Sequence, residues 1–193
     1  MFCILEPAMR SIDSLRRGLE RLASAEAYLF STGDLKALLP DLSPDAFRAL
    51  ISRATRAGVL ERLCRDIYIY SYPGRPRGFE LYHAAARLRA GSLTYISLES
   101  ALSDLGIISQ VPVATITLMT TGRSNRISCG RYGVIELVHT AQPPNSFMHE
   151  LTYDESCRLW RASPARALRD LRATGRSLDL VDWSLAHELL QRV

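Results

Sequence analysis

Between Phe30 and Phe47 the sequence sets out the start of a helix twice, with only a short turn between the two helices. In "FSTGDLK", Ser31 can cap the helix, Asp34 falls at the third helical position to complete a reciprocal capping box, and Phe30 is placed to staple against Leu35. In "LSPDAF" the grammar repeats. Ser43 is the cap, Pro44 takes the first helical position, where a missing N–H does no harm, and Leu42 can staple to Phe47. The first of these helices runs to about Leu39; Pro40, Asp41 and Leu42 then turn the chain. The spacing is that of a helix-turn-helix.

The second helix is predicted from Pro44 to Ala57, about 21 Å at the usual rise per residue, with Gly58 where a left-handed C-terminal cap is wanted. Phe47, Leu50, Ile51 and Ala54 form its apolar stripe, and Asp45, Arg48, Ser52, Arg53 and Arg56 lie opposite. Beyond the glycine, "VLERL" and "IYIY" read as strands joined by Cys64, Arg65 and Asp66, a short hairpin that would serve as a wing. Upstream, Ile12, Leu15, Leu19 and Leu22 predict an amphipathic helix with Arg10, Arg16, Arg17 and Arg21 mostly off its stripe. These elements together predict a winged helix-turn-helix domain over residues 1–73.

"SYPGRPRG" (71–78) concentrates proline, glycine and arginine and reads as a linker. A helix follows from about Phe79 to Ala90, then a strand "LTYIS", a helix capped by Ser97 and ended by Gly106, and the β-rich "VATITLMTTGRSNRISCGRYGVIELVH". Ser163 and Pro164 open another helix, "PARALRDLRATG", and "DLVDWSLAHELLQ" forms the last. Trp160 and Trp183 flank apolar stretches and read as core residues. The fold class is therefore α+β, an N-terminal winged helix-turn-helix followed by a mixed α/β domain at 78–193.

Composition narrows the function classes. The net charge is +4, yet Lys36 is the sole lysine beside 23 arginines, a bias that reflects a GC-rich genome as readily as phosphate binding. The excess is local, with 12 basic and 9 acidic side chains in residues 1–77. Lys36 lies inside a capped helix, outside any P-loop, Schiff-base or nuclease context. His83, His139, His149 and His187 have no spacing for metal or triad chemistry, and Glu80, Glu99, Asp104, Glu136 and Glu150 form no paired motif. "TTGRSNR" resembles an anion loop but reads as a strand-connecting turn. No catalytic residue, metal or cofactor is assigned. Cys3, Cys64, Cys129 and Cys157 are scattered and read as free thiols. No apolar stretch suits a membrane span, and "MFCILEP" lacks the features of a signal peptide, so a cytoplasmic protein without membrane contact is expected.

A helix in the major groove needs one face for base edges and phosphates while the other holds it to its domain. Arg48 and Ser52, near the middle of the exposed face, are the candidate base readers; Arg53 and Arg56 are candidate phosphate contacts. Arg62 and Arg65 on the wing would reach the backbone or the minor groove. The competing reading makes the winged domain a protein-interaction module whose arginines only solvate a helix.

Three segments resemble a known family. "FSTGDLKALLPDLSPDAFRALISRATRAGVLERLCRDIYIY" is similar to the winged N-terminal domain of AbiEi antitoxins of type IV toxin-antitoxin systems. "TYISLESALSDLGIISQVPVATITLMTTGRSNRI" is similar to that family's second-domain pattern, and "ASPARALRDL" looks like its "AtPekAllDl" helix. The resemblance covers about residues 28–183. It implies a phage-defence protein that autorepresses its operon through inverted repeats in double-stranded DNA; because winged domains often work in pairs on such repeats, a monomer or weak dimer pairing on the operator is expected. It also implies antagonism of a nucleotidyltransferase-type toxin, with the second domain needed for neutralisation. Arg48, Ser52, Arg53 and Arg56 then carry over as the recognition face and Arg62 and Arg65 as wing contacts, while Tyr68 matches a structural wing tyrosine. Asp66 departs from the pattern, standing where the family usually has glycine. Ser97, Glu99 and Ser100 are expected to cap and brace their helix. Arg158, Arg161, Arg166, Arg169, Arg172 and Arg176 form either a solvated face or a toxin-facing one. The alternatives are a winged-helix regulator with no toxin partner and an enzyme whose second domain acts on nucleic acid.

Overall fold

The computed structural model describes residues 6–109 and 114–191; Cys3 and Val113 lie outside them. The protein is of the α+β class and divides into two compact units that part between Arg77 and Gly78. No helix among the described residues is long and apolar enough to cross a membrane.

The first unit runs α1 (Glu6–Leu22), β1 (Leu29–Ser31), α2 (Thr32–Ala37), α3 (Pro44–Arg56), β2 (Leu60–Cys64) and β3 (Ile67–Tyr70). Both helix starts form as the sequence dictates. The Asp34 N–H donates to Ser31 Oγ at 3.0 Å while the Ser31 N–H donates to Asp34 Oδ2 at 2.7 Å, and Ser43 Oγ accepts from the Ala46 N–H at 3.3 Å. α2 ends two residues earlier than its pattern suggested. The carbonyls of the turn that follows it are gathered by Lys36, whose ammonium donates to the Leu39 carbonyl at 3.4 Å, the Pro40 carbonyl at 3.3 Å and the Leu42 carbonyl. The sole lysine thus closes the turn between α2 and α3. α3 ends in a Schellman motif: Val59 donates to the Ala54 carbonyl at 2.9 Å and Gly58 to the Thr55 carbonyl at 3.1 Å, with Gly58 at φ +69°.

β1 was not foreseen. It turns the expected hairpin into a three-stranded antiparallel sheet of order β1-β3-β2, pairing Leu29 with Ile69 and Ser31 with Ile67. Ser31 is at once the last strand residue and the cap of α2, so the helix signal hides the strand. Leu15, Leu19, Phe30, Leu35, Phe47, Ile51 and Ala54 meet in one core under this sheet. The α1 stripe stops at Leu19, for Leu22 is 50% exposed.

The second unit is built on a six-stranded mixed sheet of order β6-β7-β5-β4-β9-β8. Its strands are β4 (Thr94–Ile96), β5 (Thr115–Thr120), β6 (Asn125–Ser128), β7 (Val134–His139), β8 (Leu151–Asp154) and β9 (Leu159–Ala162). Its helices are α4 (Glu80–Leu88), α5 (Leu98–Asp104), α6 (Pro164–Ala173) and α7 (Trp183–Gln191), with α5 packed on β5 and α6. β5 is buried almost throughout and β6 is an exposed edge. Trp160 and Trp183 are half-buried rather than core residues; Trp160 packs against Tyr153 of the edge strand β8, and Trp183 lies under the Arg172 guanidinium.

A buried ionic cluster ties the sheet to α6. Asp170 pairs with Arg166 at 2.7 Å and accepts from Ser97 Oγ at 2.8 Å and the Tyr95 hydroxyl at 3.0 Å. Arg166 also donates to Gln142 Oε1 at 2.8 Å and to the Tyr95 oxygen at 3.2 Å, and lies 4.3 Å from the Phe147 ring centroid. Burial, reinforced by the Asp170 carboxylate, raises the Tyr95 phenol, which keeps its proton and its donor role. Ser97 therefore caps α5 only in position, its hydroxyl being turned to Asp170 instead. Ser100 does brace, exchanging hydrogen bonds with Thr117 on β5 at 2.8 and 3.0 Å.

The C-terminal arginines are not simply solvated. Arg161 pairs with Asp154 at 2.9 Å and with Asp104, Arg169 with Glu150, and Arg176 with Glu99 and Glu136, both at 2.7 Å, while Arg172 stacks on Trp183 at 5.2 Å. Asp170→Ala strands the Arg166 charge in the interior and is expected to destabilise the second unit by about 3–5 kcal/mol. Urea unfolding followed by tryptophan emission reads this directly, since both tryptophans lie in that unit. A loss below about 1 kcal/mol, the scale of a surface pair, would contradict the role given to the cluster.

Candidate nucleic-acid interface

α3 presents its outer face because its inner one is fixed. Leu50 and Ala54 are fully buried and Phe47 and Ile51 nearly so, which leaves Arg48, Ser52 and Arg56 exposed along one side. Beside them the sheet contributes Arg62 from β2 and Tyr68 from β3, directly paired across the strands. Arg48, Ser52, Arg56, Arg62 and Tyr68 line one groove of about 360 Å³ together with Thr32 at the start of α2. Four of the six sequence-predicted contact residues are thereby brought together.

The remaining two stand apart from the groove. Arg65 occupies the β2–β3 turn with its side chain 89% exposed, 3.6 Å from the Asp66 carboxylate. Arg53 is half-buried, and its Nε is enclosed without a hydrogen-bond partner. It does not line the groove. Arg48 is held by Asp45 one turn earlier on α3, an exposed pair worth only a few tenths of a kcal/mol and readily exchanged for a phosphate or a base edge. Ser52 is exposed and has room for either partner.

The hairpin tip depends on Asp66. Its φ is +65°, a left-handed conformation that aspartate tolerates better than most side chains. Its carbonyl accepts the Thr32 N–H at 3.1 Å, and its carboxylate lies 3.4 Å from Thr32 Oγ1. Aspartate thus serves the glycine-like turn and also docks it on the start of α2. A bulge between Arg62 and Cys64 adds a local kink to β2, redirecting the side chains near the tip.

Thr32 and the groove-lining role of Tyr68 were not legible in the sequence. Both arise from β1, which sets the start of α2 beside the hairpin. Among the described residues no group of three or more His, Cys, Asp or Glu side chains is placed to hold a metal ion. His83 is buried, its Nε2–H donating to the Ser156 carbonyl at 2.8 Å, and burial holds its pKa below the usual histidine value. His139 meets the Gly122 carbonyl at 2.8 Å, within the turn that "TTGRSNR" makes. No protein-family model matches the chain, and no curated protein matches it.

Proposed function

We propose that the first unit is a winged helix-turn-helix that binds double-stranded DNA, with α3 in the major groove and the β2–β3 hairpin as the wing. The observation that carries this reading is the single groove where Arg48, Ser52 and Arg56 of α3 meet Arg62 of the sheet. Its element order, with α2 and α3 joined by a short turn and followed by a hairpin, supports the same reading. Arg48 and Ser52 read bases, Arg56 and the wing arginines hold phosphates, and Arg53 contributes less.

We further propose, on the resemblance of three ordered segments to AbiEi antitoxins, that the chain represses its own operon through inverted repeats and antagonises a nucleotidyltransferase-type toxin. The buried Asp170 cluster supports part of this. Tyr95, Ser97, Arg166 and Asp170 come from two of those three segments, so the shared pattern coincides with one structural device. A regulator of the same architecture with no toxin partner is the second reading, favoured by how many C-terminal arginines are already held by internal carboxylates.

Binding of the full chain to its upstream DNA, against scrambled DNA of equal length, tests the first proposal. Preference for the upstream duplex is expected, with a log-log salt slope of roughly −3 to −6 per copy for a handful of phosphate contacts. Arg48→Ala should weaken specific binding by about 1–3 kcal/mol and relax sequence preference. Equal binding to both duplexes, or an unchanged affinity of the variant, would count against the assignment. Co-expression with a neighbouring nucleotidyltransferase gene tests the second proposal: restored growth supports the antitoxin, and unrelieved toxicity leaves the regulator alone.

A further inference from the structure

A second concavity, wholly within the second unit, carries a different chemistry. β4 and β9 run parallel, so their first residues lie side by side, and the end of α4 comes down beside them. The resulting pocket of about 380 Å³ is lined by Arg89, Ser92, Tyr153, Arg158 and Trp160 among others, and no carboxylate lines it. Tyr153 and Trp160 are cross-strand partners, packed edge to face at 5.5 Å between centroids. Tyr153, on the edge strand β8, is 49% exposed.

The two arginines flank these rings. Arg89 caps the end of α4; its Nη2 makes only a long 3.4 Å contact to the Arg123 carbonyl, and its Nε is enclosed with no partner. Arg158 adopts φ +57°, a left-handed conformation that costs a side-chain-bearing residue free energy. Asp154, in the same turn, is engaged by Arg161 and by the Cys157 N–H.

We propose that this pocket binds a nucleoside 5′-phosphate, with the base against Trp160 and Tyr153 and the phosphate held by Arg89 and Arg158. Planar guanidiniums suit phosphate oxygens, and paired aromatic rings suit a base of any sequence. An aliphatic anion would leave the rings unused, and a neutral aromatic would leave the arginines unused. The source is either a free nucleotide or the terminal nucleotide of a strand. The proposal does not rest on DNA binding by the first unit.

Calorimetry on the full chain with adenosine 5′-monophosphate and uridine 5′-monophosphate tests it, with adenosine, inorganic phosphate and a 5′-phosphorylated tetranucleotide as comparisons. In a Trp183→Phe chain the remaining indole is Trp160, and its emission reports occupancy. At least one monophosphate should bind and quench Trp160, with adenosine and phosphate each weaker by at least about tenfold. Arg89→Ala and Trp160→Leu should each weaken binding by at least about tenfold while leaving thermal unfolding unchanged. Arg89→Lys, which keeps the charge but loses the fork, should fall between, and serves if the alanine variant does not fold. Tetranucleotide binding as tight as the monophosphate identifies a strand end, and weaker binding identifies the free nucleotide. No binding of any probe, phosphate matching the nucleotides, or affinity unchanged in the Arg89 and Trp160 variants would overturn the proposal.

Discussion

The apolar stripe of α3 fixes the rest of the first unit. With Leu50 and Ala54 fully buried, the helix cannot rotate by even one position without carrying a methyl-bearing surface into water and an arginine into the core. The outer face is set by that exclusion, and Arg48, Ser52 and Arg56 owe their alignment to it. The helix's height relative to α2 is fixed separately, by the Lys36 ammonium gathering the carbonyls of the intervening turn. A chain with one lysine and 23 arginines uses its compact, three-donor ammonium where three carbonyls converge on one point, a geometry a planar guanidinium fits poorly.

The second unit is organised by a different constraint. An arginine and an aspartate buried together need further hydrogen bonds to offset their desolvation, and Tyr95, Ser97 and Gln142 supply them. One atom, Arg166 Nε, remains without a partner. The residues that give the second and third segments their resemblance to a family thus serve the interior. They mark a scaffold, and contact surfaces have to be sought elsewhere in the unit. The peripheral arginines follow the same logic. Arg176 joins α5 to β7 through Glu99 and Glu136, a fastening role that leaves little of it for a partner.

How much of this was legible follows from which forces are local. Ser31, Asp34, Ser43, Pro44 and Gly58 act on backbone within a few residues of themselves, so both helix starts and the end of α3 could be read from the sequence. β1 could not, because three residues pair with a strand nearly forty positions away and share their last member with a helix cap. The helix and strand content of the second domain was readable, but the mixed order of its sheet is a matter of long-range pairing. Ser97 is the instructive error. Its position is a cap position, yet a charged acceptor from α6 holds its hydroxyl at 2.8 Å, and no local pattern announces Asp170. Arg53 is half-buried for a related reason, since a helical wheel gives direction but not the height of neighbouring walls.

The proposed DNA binding assigns the contact to the α3 groove and hairpin and to no other surface. Backbone amide spectra of the full chain, titrated with its upstream duplex at moderate salt, test it residue by residue. The largest shifts are expected at Arg48, Ser52, Arg56, Arg62 and Arg65, with the buried positions of α6 unmoved. Shifts confined to the second unit, or spread evenly over arginines of both units, would contradict it.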